Sequence, residues 1–167
     1  ITDHKISIPN EKINHIEKKF KGLECVNNDN PSVYSIANAY LQEYDRFSQN
    51  PAYLDSAFNY LRFIDMSTKE GLYSSIYYFF LSKEFNKISE IISDKGKHKI
   101  LEIFNVKQYN NFDAWTCYRI GQVFYNQKKY KTSILFFDQA TKLSPYNLKF
   151  LDKYGNNLIL IDQFDDA

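Results

Sequence analysis

Few residues in this chain could do chemistry, and their spacing argues against it. The three histidines, His4, His15 and His98, show no metal-ligand spacing and no arrangement with an activating partner. Cys25 and Cys117 are too few and too far apart for a metal site or a disulfide framework, so two reduced thiols are expected. No phosphate-binding loop, nucleophile elbow or kinase motif set occurs. The acids of "DQFDDA" (162–167) read as a helix start, with carboxylates near the positive end of the dipole. The basic clusters "EKKFK" (17–21) and "KGKHK" (95–99) read as solvated faces, with phosphate or lipid-headgroup contact as the runner-up. No catalytic residue, metal or cofactor is therefore expected, and function has to be sought in surfaces.

The composition is that of a packed, helical chain. Of 167 residues, 44% are hydrophobic, including 14 Tyr, 14 Phe and one Trp, which is ample core material for one domain over 1–167. Only 5 Gly and 4 Pro leave room for long helices. Basic and acidic residues nearly cancel, at a formal net charge of +1, so nothing electrostatic points to nucleic acid or an anionic membrane as partner. Apolar runs such as "SSIYYFFL" (74–81) fall far short of the roughly 20 residues that a membrane span needs. No charged-then-apolar leader opens the chain, which makes cytoplasm the default compartment. A start at Ile1 suggests an excised fragment or a processed product.

Periodicity of 3.6 residues dominates. A first helix is expected over 10–23, with Ile13, Ile16 and Phe20 inward, Asn10 as cap and Gly22 as stop, followed by a loop over 24–32. A second runs from Pro31 to about Phe47, with Val33, Ile36, Ala37, Tyr40 and Leu41 as its stripe. Pro51 opens a third, carrying Leu54, Ala57, Phe58, Leu61 and Ile64. Ser67 or Thr68 caps a fourth, in which Leu72, Ile76, Phe79 and Phe80 face inward. After a turn at Lys83-Glu84, Phe85, Ile88, Ile91 and Ile92 mark a fifth. A charged connection over 93–99, a short helix "ILEIF" and a helix capped by Asp113 follow.

A repeat organises the remainder. Gly121 and Gly155 lie 34 residues apart, and the register carries Ile120 onto Tyr154, Phe124 onto Leu158, Tyr130 onto Phe164 and Ser133 onto Ala167. Cys117, Ile120, Gly121, Phe124, Tyr130, Ser133, Phe137, Ala140 and Pro145 fill the slots of the tetratricopeptide (TPR) pattern. Residues 114–147 thus resemble a TPR, and 148–167 resemble the start of another. Small residues at Gly121, Ser133 and Ala140 let two antiparallel helices approach, aromatics fill the remaining volume, and Pro145 stops the second helix. Residues 72–92 fit with Ile76 in the glycine slot, and 33–64 fit with a loop about eight residues longer than the pattern allows. The expected fold is all-α: an antiparallel helix-hairpin array, a TPR-like α-solenoid degenerate over 1–112. Ala167 falls in the small-residue slot of a second-copy helix, so the natural chain is expected to continue, and an array cut there exposes an apolar face.

The resemblance implies a binding face on the first helix of each hairpin. The matching positions are Trp115, Tyr118, Arg119, Gln122 and Tyr125, then Lys149, Asp152, Lys153 and Asn156. Aromatics beside Arg, Lys, Gln and Asn suit another protein or an extended peptide with an acidic or C-terminal carboxylate group. Arg119, Lys149, Lys153 and Asn156 are similar to the carboxylate clamp of TPR domains, while Tyr118 and Gln122 depart from it. A protein-interaction or scaffold module without catalysis is the reading, with self-association through the last repeat as a further partner mode. The alternative is a non-catalytic oligomerisation or positioning domain of a larger enzyme, such as a membrane-associated glycosyltransferase or polysaccharide polymerase.

Overall fold

In a computed structural model, residues 31–105 and 111–165 are described, and all regular structure among them is helical. The expected helix over 10–23, the greater part of the loop over 24–32, His4, His15, Cys25 and Ala167 lie outside these residues. Contacts divide the chain into two compact units between Ser82 and Lys83.

In the first unit, α1 spans Pro31–Glu43, α2 Pro51–Leu61 and α3 Lys69–Leu81. Proline opens α1 and α2, where its missing N–H costs nothing, and Asn50 caps α2 by accepting from the Ala52 N–H at 3.0 Å. Thr68 caps α3, its Oγ1 accepting from the Gly71 N–H at 3.1 Å. The core joins Ile36, Tyr40 and Leu41 of α1 to Tyr53 and Ala57 of α2 and Tyr77 of α3. Two expectations change here. The first helix ends at Ser48, close to the expected Phe47, but its last five residues, Tyr44–Ser48, are wound as a π-helix that leads into left-handed Gln49 at φ 48°. The Tyr77 hydroxyl donates to the Asp45 carboxylate at 2.6 Å and anchors that turn. On α2 the inward aromatic is Tyr53, at 2% exposure, and Phe58 stands out at 49% against Tyr78. The buried row is Tyr53, Ala57 and Leu61, a run of i, i+4, i+8.

The second unit contains α4 Phe85–Lys95, α5 Lys97–Ile103, α6 Asn111–Asn126, α7 Tyr130–Leu143 and α8 Leu148–Asp165. The charged connection expected over 93–99 is reduced to Gly96, whose φ of 83° breaks the helix in one residue. Helix α6 begins two residues before Asp113, which is buried in its first turn. Ile88, Ile92, Ile100 and Phe104 supply the buried apolar side chains of α4, α5 and the turn after it.

Helices α6 and α7 form the hairpin that the small-residue spacing calls for. A Cβ placed on Gly121 would lie 2.8 Å and 2.9 Å from ring carbons of Phe137, so only glycine admits α7 at this distance. The Ser133 hydroxyl donates to the Gly121 carbonyl at 2.7 Å, and Ala140 is fully buried. The turn runs through left-handed Lys128 at φ 59°, and α7 ends at Leu143, two residues before Pro145. Helix α8 then packs on α7, with Phe150 and Asn157 buried and the Asn157 amide donating to the Tyr130 carbonyl at 3.3 Å.

The reading of 162–167 as a helix start is corrected. Helix α8 continues unbroken through Ile161, Asp162 and Gln163, the positions matching the turn at Gln127–Lys129. A left-handed Lys costs on the order of 1 kcal/mol, which packing of α7 on α6 offsets at the first turn. At the second copy the helix continues through Asp165.

Candidate functional site

Helix α6 carries Trp115, Tyr118, Gln122 and Tyr125 at spacings of three and four, which places them on one side of the helix. Helix α8 brings Lys149 and Lys153, one turn apart, against that side. The Lys149 ammonium lies 5.3 Å from the Trp115 ring centre and 5.4 Å from that of Tyr118. The Lys153 ammonium lies 5.5 Å from the Tyr125 ring centre. Each such contact is worth roughly 0.5–1 kcal/mol at an exposed site. The result is a strip of two ammonium groups on three aromatic rings.

Phe150, which the sequence reading passed over, is the residue that assembles the strip. Fully buried on α8, it sits edge-on to Trp115 at 4.9 Å and tilted against Tyr118 at 5.0 Å. It lies one position before the slot that Cys117 occupies in the first copy, so the repeat pattern gave no signal for it. The signal available was helical: Phe150 and Asn157, seven residues apart, share the face opposite Gly155.

The named residues differ in what they offer. Lys149 and Asn156 are exposed, and Trp115, Gln122, Tyr125 and Lys153 are half-buried. Tyr118 and Arg119 are buried, at 2% and 8% exposure. Arg119 lies 5.8 Å from the Trp115 ring centre. Asp152, between the two lysines, is exposed.

Burial first, and the Asp152 carboxylate second, raise the Tyr118 hydroxyl above its ordinary value. The folded chain therefore holds this proton more tightly than the unfolded one. Its contribution to stability is full below the unfolded value of about 10 and is lost as pH rises toward the folded value. The hydroxyl is buried with no hydrogen-bond partner. Tyr118→Phe is thus expected to match or exceed the wild type in stability at neutral pH and to lose less of it above a pH of about 10. Denaturant midpoints measured across that range check this, and parallel alkaline profiles would contradict it.

Elsewhere the residues with chemical potential are dispersed. Cys117 is fully buried in α6, and His98 is exposed near the start of α5 beside exposed Lys97 and Lys99. Among the described residues no group of three or more His, Cys, Asp or Glu could hold a metal ion. No described helix is long and apolar enough to cross a membrane. Comparison with known proteins gives no match, neither to a family model, nor to a curated protein, nor to a solved structure.

Proposed function

We propose that the second unit is a peptide- or protein-binding module whose contact surface is the lysine–aromatic strip of α6 and α8. What carries the reading is the placement of Lys149 and Lys153, one turn apart, over the rings of Trp115, Tyr118 and Tyr125. Each ammonium rests one side on a ring and keeps its other N–H donors for a partner. The partner that suits it is an extended peptide with an acidic side chain or a C-terminal carboxylate. Aromatic rings with few rotatable bonds give contact area at low entropic cost, and the lysines select for negative charge. The TPR-like spacing of Gly121, Ser133, Ala140 and Pro145 supports the same reading, because the strip falls on the helix face that such repeats use. The module acts by binding, without catalysis of its own, in the cytoplasm.

The test is Lys149→Glu/Lys153→Glu, offered beside the wild type as bait to lysate of the source cell. Arg119 is left intact because it is buried, and reversing its charge would threaten the fold. Both lysines are at least partly exposed, so the variant should stay folded, with the wild-type circular dichroism and a melting temperature lowered only by the loss of the ring contacts. A partner held by the wild type and lost by this folded variant is expected, with affinity down by about tenfold or more. Equal capture by both would refute the assignment.

A further inference from the structure

Tyr118 carries a hydroxyl that the fold does not use. The oxygen is buried and has no hydrogen-bond partner among the described residues. A buried hydroxyl left unpaired destabilises the folded chain, and phenylalanine would fill the same space without that cost. Packing accounts for the ring, which lies against Trp115, Phe137 and Phe150 at 5.4, 5.7 and 5.0 Å. It does not account for the oxygen. Three residues of α8 act on this tyrosine: Phe150 packs on the ring, the Lys149 ammonium stands 5.4 Å from its centre, and the Asp152 carboxylate acts on its hydroxyl. The unused donor therefore belongs to the strip, on the ring that carries the Lys149 ammonium.

We infer that the Tyr118 hydroxyl is a second donor to the partner's carboxylate, binding it together with the Lys149 ammonium, a role that rests on the strip being the binding surface. Lys149 is exposed, and its flexible four-carbon stem lets the ammonium swing off the rings toward an acid. The same movement clears the ring that the ammonium covers. A carboxylate has two acceptor oxygens, so one accepts from the ammonium and the other from the hydroxyl. Both bonds are strong ones, because the acceptor is ionised. Burial first, and the Asp152 carboxylate second, keep the proton on Tyr118, so the hydroxyl is a donor throughout the neutral range. Asp152 itself is exposed, screened by solvent and outnumbered by the two lysines, so it does not bar a second carboxylate. The ligand class is thus a carboxylate with both oxygens free, from an Asp or Glu side chain or a chain terminus. A carboxamide offers one acceptor oxygen where the site calls for two.

Tyr118→Phe is the test, compared with the wild type at neutral pH. Melting temperature is measured, and calorimetric titration uses an amidated peptide of alternating Glu and Ser. The variant is expected to melt at or above the wild-type temperature, yet to bind the peptide about tenfold more weakly. A purely structural hydroxyl would lower both together. Binding within twofold of the wild type overturns the inference. So does a melting temperature lowered by several degrees, which would mean that the hydroxyl has a partner inside the chain. Both lysines stay in place in this variant, so the two readings can fail separately. Equal binding by wild type and variant refutes the second donor and leaves the strip standing, whereas a wild type that binds no acidic peptide refutes both.

Discussion

Gly121→Ala is expected to lower stability by about 2 kcal/mol, whereas Gly155→Ala raises it by about 1 kcal/mol. The two glycines occupy the same slot, 34 residues apart, and both lie within helices. Helix propensity favours alanine by about 1 kcal/mol at either site. The difference lies in what the new methyl group meets. At Gly121 it would overlap the Phe137 ring at 2.8 Å and 2.9 Å. That ring is fully buried and packed among Tyr118 and Tyr125, at 5.7 Å and 6.3 Å, and cannot swing away. The helices must then separate, which stretches the 2.7 Å hydrogen bond from Ser133 to the Gly121 carbonyl. Overpacking outweighs propensity there. At Gly155 the methyl enters open space and only the propensity term remains. Urea midpoints of the two variants and the wild type decide this, at dilutions where any dimer is dissociated. Two shifts of the same sign would show that the crossing at Gly121 is looser than described.

Phe150→Ala should be the more damaging change, at about 3–5 kcal/mol, which is a large share of the stability of an ordinary domain. The ring is fully buried and meets Trp115 at 4.9 Å and Tyr118 at 5.0 Å. Its loss opens a cavity at the place where α8 meets α6, and the Lys149 and Lys153 contacts depend on that meeting. Phe150→Leu retains most of the volume and should cost about 1.5 kcal/mol. Trp115 is the sole tryptophan of the chain, so its emission reports this packing directly. A red shift in the folded baseline of Phe150→Ala, with a lowered midpoint, is the expected result. An unshifted spectrum would mean that α8 does not rest on Trp115.

The all-helical fold was legible in the 3.6-residue periodicity, and the α6–α7 hairpin in the spacing of Gly121, Ser133, Ala140 and Pro145. Those residues encode a close crossing and a stop, which are local steric facts. Misreadings arose where packing decides between local alternatives. Tyr53 and Phe58 are both aromatic and near one face of α2, and only the position of Tyr40, 6.3 Å from the Tyr53 ring, selects the former. The π-helical segment Tyr44–Ser48 is tied through Asp45 to Tyr77, 32 residues on, a contact that local sequence does not reveal. Helix α8 runs through Ile161–Gln163, where the repeat register called for a turn. The strip was foreseen as a set of residues on matching faces. What could not be foreseen is its layering, with Tyr118 and Arg119 buried and Lys149 exposed. That layering depends on Phe150, which the repeat pattern leaves unmarked.

The most direct measurement is a titration of Trp115 fluorescence with extended peptides rich in Asp and Glu, each made with a free and with an amidated C-terminus. A cation over the indole reports any carboxylate that draws Lys149 away. A saturable change is expected for acidic peptides, absent for their Asn and Gln counterparts and abolished in folded Lys149→Glu/Lys153→Glu. The free and amidated forms then show whether a terminal carboxylate is read. Emission that ignores every acidic peptide, or responds equally in the charge-reversed variant, would contradict the assignment of this strip as a binding surface.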